Sequence, residues 1–414
     1  MERHDLLFRL YEEFDTGTLR AHQEFVDLLP PLDSPLALEQ WQGVREELDA
    51  RQETIEAAFP EVGETLAAIA SLATRDQAFT ALDLYSKYDR SINALVLDVD
   101  ETLRSAGSTD NEIPRETLYL LTRFHNEGVP IVICTGQTLE NVKGFLIQGL
   151  GNEIVYSGNV SIVYEAGTGV FTPGHGPETK QLLYEGLDEG VQDVFARLRS
   201  TVLPAAPERL RRTCHLQGNE FNVTLKPNFE TGSEQAHEVI DEALVYLLDL
   251  LEECLAAVHG EGGTARGFSR RYYADSDPEI REVLEATDNE PSVSGGEIPE
   301  TDTDHFERID VAYYPGDAAE IGSLELNKVV GVQAAFDVLG IEDPFALVMG
   351  DSKSDLRVMR WLEAENAGIG AAPTHASQQV LSHVESTDGL VFERGNAGQM
   401  LRIATAMTLL ASLD

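Results

Sequence analysis

The string Asp98-Val99-Asp100-Glu101-Thr102 closes a short apolar run that begins at Asn93. A buried strand that stops in acid brings carboxylates to the carboxyl edge of a parallel sheet, where open sheets bind their ligands. Asp98 and Asp100 are two positions apart, so extended backbone aims both the same way. One carboxylate could then attack phosphorus while the other handles the proton of the leaving group. Two such acids repel each other unless a divalent cation relieves them. The same residues also read as a solvated acidic turn, an ordinary feature of an acidic chain.

Three further places repeat this logic. Thr135-Gly136 follows the apolar run 129–134, and a hydroxyl with free N–H groups at a strand-to-helix junction suits a phosphoryl oxygen. A plain turn, with Thr138 capping the next helix, accounts for the pair equally well. Lys328 opens a helical stretch over 329–339, where the helix dipole opposes a cation. The chain has only six lysines (Lys87, Lys143, Lys180, Lys226, Lys328 and Lys353), which makes that placement notable. A compact cation there could neutralise a phosphate, and a solvated surface lysine is the alternative. Gly350-Asp351-Ser352-Lys353-Ser354-Asp355 follows the apolar run 346–349. Its hard oxygen ligands suit Mg²⁺, or its acids cap the following helix.

The elements around these residues alternate. Apolar runs at 93–98, 129–134, 154–156 and 346–349 read as strands, with a further short strand near 368–370. Helical patterns over 114–126, 138–150, 329–339 and 397–410 lie between or after them, and Gly128 and Gly340 stand as helix stops. Such alternation predicts a parallel sheet with helices on both faces. Residues 1–90 instead read as three or four short helices interrupted at Pro30, Pro31, Pro35 and Pro60, forming a docking module or a cover on the next domain. Residues 160–318 break the alternation with a strand at 221–225, a long helix over 235–258 and a polar acidic loop over 288–305.

Bulk properties narrow the function further. Thirty basic residues against 72 acidic ones leave a formal charge of -42 over 414 residues. That charge is spread along the chain, argues against binding nucleic acid or an anionic membrane, and should destabilise the fold at low salt. Concentrated salt shrinks the Debye length to about 3 Å at 1 M, so the composition reads as adaptation to a salty, halophilic cytoplasm. No apolar run is long enough to span a membrane, and the acidic start does not read as a secretory signal. Cys134, Cys214 and Cys254 are widely spaced and odd in number, which excludes a zinc motif and a disulfide scaffold.

Taken in order, DVDET, Thr135, Lys328 and GDSKSD resemble the haloacid dehalogenase-like hydrolase superfamily, whose pattern is DxDx[TV], Ser/Thr, Lys, then GDxxxD. The resemblance covers residue 92 to about residue 410 and leaves residues 1–90 unmatched. It implies an α/β fold with a Rossmann-like parallel-sheet core (91–159 and 319–414), an inserted α+β cap domain (160–318) and an N-terminal helical extension (1–90). It also implies a Mg²⁺-dependent phosphatase acting on a small phosphorylated metabolite, such as a sugar phosphate. A phosphomutase and a non-catalytic regulatory member are the alternatives.

In that resemblance Asp98 corresponds to the nucleophile and Asp100 to the general acid/base. Thr135 would hold the phosphoryl group and Lys328 would stabilise its charge. Asp98, the Asp100 carbonyl, Asp351 and Asp355 would form the Mg²⁺ site. Thr102 and Gly136 fall on the substrate side of the motifs. The long interval between Thr135 and Lys328 places the cap as in the phosphosugar-phosphatase branch, whose caps close over the site and exclude water. Basic residues cluster there: Arg209, Arg211, Arg212, Lys226, Arg266, Arg270 and Arg271. Lys226 and Arg270 are the candidates for contacting an anionic substrate; pairing with neighbouring acids is the competing reading. Two departures bear on the subfamily. Ser354 stands where many sugar-phosphatase members have Asn, and Tyr156-Ser157-Gly158-Asn159 replaces their usual Asn-Gly.

Overall fold

A short, fully buried strand needs a partner on each side, and this chain supplies several. Twelve strands, numbered β1 to β12 in chain order, occur among the residues described. These are 2–29, 34–104, 112–219, 221–258, 267–289 and 298–413 of the computed structural model. Ala94–Asp98 (β1), Ile131–Cys134 (β2), Val160–Tyr164 (β3), Ala346–Met349 (β10), Gly368–Pro373 (β11) and Leu390–Phe392 (β12) run parallel in the order β12-β11-β10-β1-β2-β3. All residues of β1, β2, β3 and β10 are buried, as strands covered on both faces require. Chain order reverses on either side of β1, because β2 and β10 are its two neighbours. The crevice at such a reversal is where open α/β sheets take ligands.

Helices connect these strands and start where the sequence predicts. Arg115–Asn126 follows Pro114, Leu139–Leu150 follows Thr138 without a side-chain capping bond, and Lys328–Leu339 stops before Gly340 at φ 69°. Lys353–Ala364 is fixed by a reciprocal cap in which Ser352 and Asp355 satisfy each other's backbone N–H groups. The third strand is a correction. Residues 154–156 were expected to form it, but Asn152–Val155 is a helical turn entered through Gly151 at φ 87°, and the strand is Val160–Tyr164. A three-residue apolar run carries too little periodicity to separate the two states.

The N-terminal segment makes five helices, not three or four: Arg3–Glu13, Thr16–Leu28, Pro35–Ala58, Gly63–Leu72 and Arg75–Tyr88. The extra break lies at Thr74, which closes a capping box with Gln77. These helices cover the core. Arg75–Tyr88 and Gly63–Leu72 pack on the terminal helix Ala397–Ala411, and Thr16–Leu28 packs on Arg115–Asn126. Arg402 ties the layers by donating to the Leu72 carbonyl (2.7 Å) and to Glu116 (2.7 Å). At the chain ends, Arg3 Nε donates to the Leu410 carbonyl at 3.1 Å.

The chain divides into two compact units, one formed by 1–163, 171–180 and 332–414, the other by 164–170 and 181–331. The second is an α+β insertion. Gly169–Phe171 (β4) and Gln181–Leu182 (β5) pair antiparallel. Cys214–Gln217 (β6), Asn222–Pro227 (β7), Ile309–Tyr314 (β8) and Ala318–Ser323 (β9) form an antiparallel sheet in the order β6-β7-β9-β8. Its apolar core joins Val191, Phe195, Val223, Leu225, Leu248 and Ile321 from that sheet and from helices Glu189–Thr201 and Ser233–Val258. The loop expected over 288–305 ends in the helix Glu300–Phe306, while 290–297 lie outside the described residues, as do Arg266, Pro30 and Pro31. No helix among the described residues is long and apolar enough to cross a membrane.

Candidate active site

Three carboxylates meet at the carboxyl edge of the parallel sheet. Asp98 ends β1, and Asp351 lies two residues beyond β10, its hydrogen-bonded neighbour. Asp355 comes from the first turn of the helix that follows. One oxygen from each of the three lies within 4.8 Å of the others, and Asp98 and Asp355 are buried. At an effective dielectric near 20, two unit charges at that separation repel by about 3 kcal/mol. Acids gathered this closely repel one another, and a cation among them offsets that repulsion. A cluster of hard carboxylate oxygens, part buried and part reachable, fits Mg²⁺, which binds through few protein ligands and keeps waters.

Local packing explains why these acids sit here. Asp355 accepts from the Ser352 N–H (3.1 Å) and the Ser352 hydroxyl (2.6 Å), which fixes its rotamer. The backbone carbonyl of Asp351 accepts from the Ser377 N–H at 3.0 Å, tying the loop after β10 to the loop after β11. Ser354 shares a hydrogen bond with Ser352 at 2.8 Å. Its hydroxyl is thereby absorbed into the helix cap.

Thr135 follows β2, with its N–H bonded to the Val163 carbonyl (2.9 Å) and its side chain buried. Its hydroxyl oxygen accepts from the Gln137 N–H at 3.1 Å, which directs the hydroxyl proton elsewhere. Gly136 beside it is exposed, and Thr102 is buried with a hydroxyl that makes no hydrogen bond among the described residues. Asp100 behaves differently from Asp98. Its side chain is half exposed and is engaged by Arg104 and Gln137. Neither of those partners stood out in the sequence, because nothing about an arginine or a glutamine in a loop marks it.

Between Asp100 and Thr102, Glu101 adopts the left-handed conformation (φ 60°). Its carbonyl accepts from His375 Nε2 (3.0 Å) and its carboxylate meets Arg394 Nη2 at 3.0 Å. Burial, then the Arg394 charge, hold the His375 imidazole below its usual pKa, against the opposing pull of Glu101.

Lys328 is buried at the start of its helix, which Asn327 caps by accepting from the N–H groups of Val329 (2.8 Å) and Val330 (3.2 Å). A buried ammonium at the positive end of a helix gains nothing from water or dipole and requires anionic or carbonyl neighbours. Lys328 belongs to the inserted unit, as do Lys226 and Arg270. Lys226 pairs with Asp317 at 3.1 Å, and Arg270 pairs with Asp249 at 2.6 Å and donates to the Asn289 carbonyl at 3.2 Å. Both basic side chains are thus engaged by neighbours in their own unit.

No family model matches the chain, and no curated protein matches it. Among solved structures, similarity extends to a trehalose-6-phosphate phosphatase of Aspergillus fumigatus, at 15% identity and a TM-score of 0.43 over 81% of this chain and 98% of that one. A haloacid dehalogenase-like hydrolase from Bacteroides thetaiotaomicron is similar at 14% identity and a TM-score of 0.42, over 77% of this chain and 99% of that one. A sugar phosphatase of haloacid dehalogenase subclass IIB is similar at 16% identity and a TM-score of 0.42, over 77% and 99%.

Proposed function

We propose that this protein is a Mg²⁺-dependent phosphatase that hydrolyses a small phosphate ester through a phosphoryl group carried on Asp98. The observation that supports this most directly is the meeting of Asp98, Asp351 and Asp355 within 4.8 Å at the ends of β1 and β10. Asp98, Asp351, Asp355 and the Asp100 carbonyl would hold Mg²⁺, which supplies charge neutralisation for an anionic substrate beside an anionic nucleophile.

Asp98 attacks phosphorus in line, forming the Asp98 O–P bond as the ester O–P bond breaks. Asp100 gives its proton to the departing alkoxide. Water then attacks the phosphoryl group, Asp100 takes the proton from that water, and the Asp98 O–P bond breaks to release inorganic phosphate. Thr135, whose oxygen is already occupied by the Gln137 N–H, directs its own proton to a phosphoryl oxygen. The buried ammonium of Lys328 is assigned the remaining charge on the transferred group.

Hydrolysis of p-nitrophenyl phosphate with Mg²⁺ in molar salt tests the reading. The wild type should release phosphate, and Asp98→Asn should lose the activity by at least about a thousandfold. Equal rates would refute the nucleophile. Phosphate retained on an organic product, with none released to water, would point to the phosphomutase alternative.

A further inference from the structure

Asp100 is held in an asymmetric clamp. Arg104 donates to its Oδ1 from both Nε (3.0 Å) and Nη2 (2.8 Å). Gln137 Nε2 reaches both oxygens, Oδ1 at 3.0 Å and Oδ2 at 2.7 Å. Oδ1 therefore faces three donor contacts among the described residues and Oδ2 faces one. A carboxylate oxygen has two lone-pair directions, so Oδ1 is filled and Oδ2 keeps one open.

The clamp is itself supported. Arg104 is only 14% exposed while Asp100 is 50% exposed. Its guanidinium lies over the Phe145 ring, 5.1 Å from the centroid, and the Arg104 backbone N–H donates to the Val99 carbonyl at 3.1 Å. Stability alone does not account for this investment of a shielded arginine, since pairs with an exposed partner contribute about 0–1 kcal/mol. Gln137 adds a second connection. Its backbone N–H holds the Thr135 hydroxyl (3.1 Å) while its side chain holds Asp100 (2.7 Å). One residue thus couples the group that would grip the phosphoryl oxygens to the group that would move the proton.

We propose that Arg104 and Gln137 are positioning residues that occupy Oδ1 of Asp100, so that Oδ2 carries the proton to the leaving group and takes it from water. This rests on the phosphatase reading above and deepens it. The proton path balances: Oδ2–H breaks as the ester oxygen gains its proton, and Oδ2–H re-forms as water becomes hydroxide at phosphorus.

Aryl phosphates of similar size but different leaving-group basicity separate positioning from structure. Departure of p-nitrophenolate needs little protonation, whereas phenoxide departure from phenyl phosphate depends on it. The readout is kcat/KM, which reports transfer to Asp98. Arg104→Ala and Gln137→Ala should each lower kcat/KM for phenyl phosphate by about 10- to 100-fold, and for p-nitrophenyl phosphate by a clearly smaller factor. Arg104→Lys should recover part of the loss on phenyl phosphate. Equal losses on both substrates in both variants, or no loss on either, would overturn the proposal. A wild type inactive on both esters would instead overturn the phosphatase reading, so the two failures are distinguishable.

Discussion

Gly350 and Asp355 approach so closely that a β-carbon on residue 350 would lie 2.3 Å from both Cβ and Cγ of Asp355. The atoms it would meet belong to the stem of the side chain, not to a flexible tip, so backbone must shift to make room. Gly350→Ala should lower stability by about 1–3 kcal/mol. It should also push Asp355 out of the carboxylate cluster. In wild-type protein, saturating Mg²⁺ at about a hundred times its Kd should stabilise by roughly 2.7 kcal/mol. Gly350→Ala and Asp351→Asn should show a much reduced rise in Tm on adding Mg²⁺, measured by thermal unfolding. An undiminished rise in both would separate Mg²⁺ binding from this cluster.

Glu101 pays a backbone penalty of about 1 kcal/mol for its positive φ, which glycine would not incur. Its compensation is the contact with Arg394 and His375. Glu101→Gly keeps the carbonyl bond to His375 but loses the carboxylate contact with Arg394, so Tm should stay unchanged or rise slightly while kcat falls several-fold. A fall in Tm together with kcat would mean that the contact serves only the fold.

Asp27, on the second N-terminal helix, has its carboxyl held above the usual range chiefly by burial, against hydrogen bonds from Gln23 and Tyr119. An acid whose pKa is higher in the folded than in the unfolded chain binds its proton more tightly when folded. Its contribution is full below the unfolded pKa and is lost as pH rises through the folded value. Asp27→Asn cannot ionise, so it should raise Tm by roughly 1–3 °C at about pH 7 and change little near about pH 4. A larger gain at the acidic end would contradict the assigned direction.

The formal charge of -42 sets a salt dependence for the whole molecule. Raising KCl from about 0.1 M to about 1 M shortens the screening length from roughly 10 Å to 3 Å. Tm should climb steadily over that range in thermal scans. A flat response would show that the acids are spaced or paired well enough to need no screening.

Much of this arrangement was legible in the sequence, for reasons specific to each element. The run ending in Asp98 and the run 346–349 announced buried strands because parallel central strands are apolar throughout. The third strand was missed partly because Ser161 interrupts its apolar run, and that hydroxyl is satisfied by Thr172 (3.0 Å) in a buried contact no sequence displays. Asp98, Asp351 and Asp355 could be grouped because the strings DVDET and GDSKSD together resemble a known family pattern, not because either string alone shows a shared site. The engagement of Asp100 by Gln137 could not, since it joins two different loops. Lys226 and Arg270 looked available because their acids, Asp317 and Asp249, are distant in sequence and adjacent only after folding.

The hydrogen bond from Arg3 to the Leu410 carbonyl brings the start of the first helix to the end of the last. Arg3 and Leu410 lie close enough for a short Gly/Ser linker to join them, with new ends opened in a surface loop elsewhere. A circularly permuted chain of this kind would keep all five N-terminal helices against the terminal helix. It would also supply fusion points for reporters away from the carboxylate cluster.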